Sequence, residues 1–190
     1  MSEASLPLES WGNFYVIVGS SAGGLTGLTF VVIALVADAH AVGLSGLRAF
    51  ITPTIVHFCS ALAIAAVLNV PGQTPASTAL CLLVSGVVGM LYSAGTIAQL
   101  HRNRPMYVPV VADWLWNALL PTLCYLALLI AGILARAHAA AALYVTGGVS
   151  LLLLFVGIHN AWDIAVWFTA ERPNADATAR APVPSQPPAP

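Results

Sequence analysis

The chain has 190 residues, of which 59% are hydrophobic and 7% charged, with a formal net charge of −1 and a mean hydropathy of +0.88. A soluble domain carries about 25% charged residues, so this composition excludes a soluble globular fold. All six cationic residues are arginines, and with no basic patch to neutralise phosphates, nucleic acid is excluded as a partner.

Residues Met1 to Ser10 carry Glu3 and Glu9 and no basic side chain. That is the wrong charge for the leading part of a signal peptide, so the first apolar segment is expected to stay in the chain. Five segments reach the roughly 20 apolar residues that a bilayer crossing needs. They lie near 14–37, 51–70, 78–100, 114–134 and 141–169. Short connections make residues 1–170 one five-helix transmembrane domain. Residues 171–190, rich in Pro and Ala with little hydrophobic bulk, are expected to form a disordered cytoplasmic tail.

The first segment spaces Gly19, Gly23 and Gly27 four apart. Small residues at that interval let two membrane helices approach closely, within a subunit or between subunits. In the second, Thr52-Pro53-Thr54 reads as the opening turn, where a proline is tolerated. His57 follows, flanked on its own face by Thr54, Ser60 and Ala61. That strip of small residues can accept another helix or a ligand.

The third segment spaces Ser85, Gly89, Tyr92, Thr96 and Gln99 in a 4-3-4-3 pattern. This is a coiled-coil-like seam of small and polar residues, suited to helix packing or to the wall of a hydrated path. The connection that follows holds His101, Arg102, Arg104, Pro105, Pro109 and Asp113. Together with Arg48, Arg102 and Arg104 would form a basic cytoplasmic mouth. The fourth segment begins Asp113-Trp114-Leu115-Trp116-Asn117 and contains Pro121, which should kink the helix nearby.

Gly157-Ile158-His159-Asn160-Ala161-Trp162-Asp163, in the fifth segment, is the most polar stretch of membrane-like sequence. At about 100° per residue, His159, Asn160 and Asp163 share one face. An ionisable residue at membrane depth costs about 2.5–3.5 kcal/mol on insertion scales, so it marks function or helix packing. One turn apart, His159 and Asp163 suit proton relay, cation binding or the orientation of a metal-bound histidine.

With the N-terminus outside, Arg48, Arg102, Arg104, Arg172 and Arg180 fall on the cytoplasmic side and Arg136 alone falls outside, so the positive-inside rule favours N-out, C-in. Trp11, Tyr107, Trp114, Trp116 and Trp167 lie near segment ends, as an interfacial belt would. That orientation puts His57, Gln99, Asn117, His159, Asn160 and Asp163 in the cytoplasmic half. Counted from the segment ends, His57 and Asp163 are each ~9 Å deep.

Cys59, Cys81 and Cys124 fall in apolar segments without a CxxC and are expected to be buried core residues. His57 and His159 could bridge a haem. No HExxH, CxxC or Met cluster offers a third zinc or copper ligand. No GxSxG supports hydrolysis.

The leading expectation is an integral membrane protein of a bacterial inner membrane: a homo-oligomeric channel or small transporter for ions or protons. The polar site would comprise His57, Gln99, Asn117, His159, Asn160 and Asp163. Packing would rest on Gly19, Gly23, Gly27, Ser85 and Gly89. The competing expectations are a haem or metal redox protein ligated by His57 and His159, and a non-catalytic membrane scaffold.

Overall fold

A computed structural model describes residues 8–38, 44–102 and 111–166. Its elements are α1 (Leu8–Asp38), α2 (Leu44–Leu68), α3 (Pro75–Arg102), a short α4 (Val111–Trp114), a π-helical turn (Leu115–Leu119), α5 (Leu120–Leu134) and α6 (Ala139–Val166). Among the described residues there is no strand. In hydrocarbon every backbone N–H and C=O must be satisfied within the segment, and a helix achieves that. Four helices are long and apolar enough to cross a membrane: Ser10–Ala34, Pro75–Arg102, Leu115–Leu134 and Ala139–Val166. The apolar Thr52–Leu68 part of α2 is shorter. The described residues are thus those of an all-helical bundle, and the chain is an integral membrane protein. The tail 171–190 lies outside the described residues.

Helices α2, α3, α5 and α6 close into a ring: α3 packs on α5, α5 on α6, α6 on α2 and α2 on α3. Helix α1 lies outside it, mainly against α2, with a smaller contact to α6. Leu80, Val84, Val88 and Leu91 of α3, and Ile130 and Ile133 of α5, point outwards. An exposed apolar surface of this kind is what a lipid-facing helix presents.

The closest approach is between α3 and α5. A Cβ at Gly86 would lie 2.8 Å from the backbone nitrogen of Leu129, and one at Gly132 would lie 2.9 Å from that of Leu83. Only the missing side chains let the two backbones meet, which supplies the van der Waals contact that drives membrane helix association. A Cβ at Gly89 would clash with the edge of the Tyr125 ring at Cγ, Cδ1 and Cε1. In α1, Gly19 sits 3.2 Å from the Ala65 side chain by the same measure, whereas Gly23 and Gly27 face open space. Ser85 is half-buried on α3.

Helix α2 runs back to Leu44, so Pro53 sits inside it rather than at its first turn. An internal proline is tolerated in a membrane helix because neighbouring groups re-satisfy the freed carbonyl. Between α2 and α3, Gly72 takes the turn position at φ 74°. Helix α3 then starts with a reciprocal cap: Ser77 N–H donates to Thr74 Oγ1 at 3.1 Å and Thr74 N–H donates to Ser77 Oγ at 2.9 Å. Pro75 fills the first helical position, where an N–H would have no partner.

At the end of the bundle near the start of α1, Trp11 packs edge-on to Phe14 and Tyr144, and Tyr15 donates to the Leu143 carbonyl at 3.4 Å. This clasp ties α1 to α6. The three cysteines are free; Cys124 is buried and Cys81 half-buried, but Cys59 is exposed. It lies two residues from His57, about 200° around α2, and so turns away from the ring.

Candidate functional site

The polar side chains inside the ring form two tiers. The deeper tier centres on His57 of α2, which is 1% exposed. Its Nδ1 lies 3.3 Å from the Tyr125 hydroxyl of α5, and that hydroxyl lies 3.0 Å from Ser60 Oγ. Ser60 in turn donates to the Val56 carbonyl one turn back, at 2.8 Å. The Tyr92 ring of α3 meets the imidazole edge-on, with centroids 6.4 Å apart. The strip of small residues beside His57 therefore accepts a tyrosine from α5, which fits because Gly89 of α3 clears the space behind its ring.

Counting hydrogens along this chain favours one histidine tautomer. A serine hydroxyl has one proton, and Ser60 places it on the Val56 carbonyl. Ser60 Oγ can then only accept from Tyr125. Tyr125, having donated its single proton, can only accept from His57, so Nδ1 carries the hydrogen. Nε2 is left with its lone pair. Among the described residues that atom is buried with no hydrogen-bond partner. A basic nitrogen with no hydrogen-bond partner among the described residues is unusual inside a membrane bundle.

Ser93 Oγ of α3 is also buried without a partner among the described residues. The contacts of Gly86 with Leu129, Gly89 with Tyr125 and Gly132 with Leu83 set the antiparallel register of α3 on α5. Carried one turn further, that register puts Ser93 level with residues 121–122, between the tiers.

The second tier is built on the π turn. Leu120 N–H reaches back five residues to the Leu115 carbonyl, and Pro121 has no N–H for the bond that the Asn117 carbonyl would accept in an α-helix. The expected kink is thus realised as a widened turn, a local irregularity often found at functional positions. The turn carries two contacts to α6. Trp116 stacks on His159 with centroids 3.8 Å apart and planes inclined by 25°. Asn160 Nδ2 donates to Asn117 Oδ1 at 3.2 Å. His159 Nε2 pairs with Asp163 Oδ2 at 3.1 Å, and the Asp163 side chain is 60% exposed. Eight residues separate Asn117 from Tyr125, or about 12 Å along a helix. His57 is therefore a tier deeper than Asp163, not level with it as counting from segment ends implies.

Of the other expected site residues, Gln99 and Arg102 are exposed near the end of α3. The backbone of Arg48 belongs to α2, while its side chain and the whole of Arg104 lie outside the described residues. The expected set thus separates into His57 above and Asn117, His159, Asn160 and Asp163 below. Tyr125, Ser60 and Trp116, which hold these groups, read in the sequence as core, small-residue and belt positions. Pro121 was the available signal for the irregular turn.

A haem bridged by His57 and His159 does not fit this arrangement. His159 is covered by Trp116 and committed to Asp163, and His57 is held a tier away. Among the described residues no group of three His, Cys, Asp or Glu side chains could hold a metal ion. Comparison with protein-family models, curated proteins and solved structures yields no match.

Proposed function

We propose that the chain is a homo-oligomeric channel or small transporter for ions or protons, with five spans, the N-terminus outside and the two polar tiers in the cytoplasmic half. The supporting observation is the buried His57, whose Nε2 has no hydrogen-bond partner among the described residues while Nδ1 is fixed by Tyr125. A histidine that served only to join helices would gain most by spending both nitrogens on them. This one spends one. His159 and Asp163, partly exposed one tier below, supply an entrance of exchangeable charge.

Flux through proteoliposomes of known oligomeric mass tests this reading. Asp163→Asn or His159→Ala should abolish flux and leave the oligomer intact. Unchanged flux would remove the entrance from the site. Absence of any flux in the unaltered protein, with Asp163→Asn lowering only detergent stability, would replace the proposal with a scaffold.

A further inference from the structure

Resting on that reading, we infer that the translocated species is the proton and that His57 Nε2 is the atom that carries it through the centre of the bundle.

The donor set decides between proton and metal cation. His57 meets the Tyr125 hydroxyl and the Tyr92 ring, and Tyr125 in turn meets Ser60, all neutral hydroxyl-bearing side chains. The titratable groups that face it are Tyr92 from α3 and Tyr125 from α5. On α6, the helix that packs against the other side of α2, Gly157 meets Phe58, and the Asp163 carboxylate is paired with His159. On α1, Gly19 lies against Ala65 of α2. Binding a bare alkali or divalent cation there would require oxygen ligands, including carboxylates or several carbonyls, to replace its water. A proton needs one lone pair. The hydrogen-bond chain leaves one, at Nε2.

The step is balanced with water as the co-reactant. A hydronium arriving from one side gives its proton to Nε2, forming the N–H bond and leaving water. Nδ1–H keeps donating to Tyr125 throughout, so the ring is held while its charge changes. Release reverses the bond at Nε2 to a water on the other side. Ser93, between the two tiers, has a hydroxyl without a partner among the described residues and is placed to hydrogen-bond a water moving between His57 and the entrance below.

The test is made on the full-length protein in proteoliposomes. Internal pH is followed with trapped pyranine while a potassium gradient and valinomycin set the potential, and sodium and chloride fluxes are measured on vesicles of the same preparation without valinomycin. The expected result is proton flux with neither cation nor halide flux. His57→Gln, which keeps an amide able to bond Tyr125 but has no basic atom, should lower it by roughly 10²-fold or more. Cation or halide flux without proton flux in the unaltered protein would overturn the inference while leaving a translocator. Flux of no species would overturn the translocator itself. Undiminished proton flux in a folded His57→Gln oligomer would overturn the role of Nε2, as would a Soret band in the purified protein, which would commit that nitrogen to haem.

Discussion

The assigned tautomer makes a prediction that separates two substitutions next to each other in the structure. In Tyr125→Phe the oxygen that accepts from His57 Nδ1–H is gone, and a buried donor is left unpaired. Such an orphan costs about 1–3 kcal/mol. In Ser60→Ala the Tyr125 hydroxyl loses its acceptor, but its proton can swing to Nδ1 once His57 shifts its own hydrogen to Nε2. That exchange keeps one tyrosine–histidine bond but makes Nε2 an unpaired N–H, so this variant also leaves one buried donor without a partner and differs from Tyr125→Phe by one interhelical contact, on average about 0.6 kcal/mol in membrane double-mutant cycles. The Nδ1 to oxygen distance of 3.3 Å is at the long end for such a bond, which favours the lower part of each range. Tyr125→Phe, which forfeits the contacts to both His57 and Ser60, should therefore be the more destabilising, by about 0.6 kcal/mol. Reversible unfolding in mixed micelles measures the difference. Nitrogen NMR of histidine-labelled protein measures the tautomer: hydrogen on Nδ1 in the unaltered chain, and on Nε2 in Ser60→Ala. Equal losses for the two variants, or an Nε2–H signal in the unaltered protein, would refute the hydrogen count and with it the open lone pair.

Two further predictions concern packing. Gly89→Ala puts a methyl group into the space of the Tyr125 ring and should displace that ring from His57, reducing proton flux together with stability. The control is Ser85→Ala, one turn away on the same helix, which should leave flux unchanged when both are assayed in the same vesicles. Gly157→Ala places a methyl against Phe58, with two ring atoms at 2.8 and 2.9 Å. Overpacking of this kind costs about 1–3 kcal/mol, and Phe58→Leu in the same chain should recover most of the unfolding free energy. Failure of that rescue would show that α2 and α6 do not meet at this pair.

What the sequence makes visible here is depth, and what it hides is pairing. An apolar run announces a spanning helix because charge at membrane depth is costly, and the described helices fall within a few residues of the expected segments wherever a polar cluster or turn bounds the run. The exceptions are the starts of α1, which begins at Leu8 rather than near residue 14, and of α2, where Pro53 suggests a first turn although the helix begins at Leu44. His57, His159, Asn160 and Asp163 stand out for the same reason, as polar residues in apolar sequence. Their partners do not. Tyr125 reads as one more aromatic in a core helix, and only its hydroxyl, at the far end of the ring, reveals that it belongs to His57. Trp116 near a segment end looks like an interfacial anchor, yet it lies flat on His159. Glycine spacing has the same limit. The series Gly19, Gly23, Gly27 is conspicuous because it lies on one helix, while the tightest seam uses Gly86 and Gly89 from α3 and Gly132 from α5. A seam divided between two helices leaves no period in either. The two devices that create the site, a ring cleared by a glycine on another helix and a π turn before Pro121, are both tertiary in effect: each becomes readable only once α3, α5 and α6 are set side by side. The irregular turn puts Trp116 and Asn117 together on α6, and α6 also packs on the helix that carries His57. A movement of α6 would therefore be felt at both tiers.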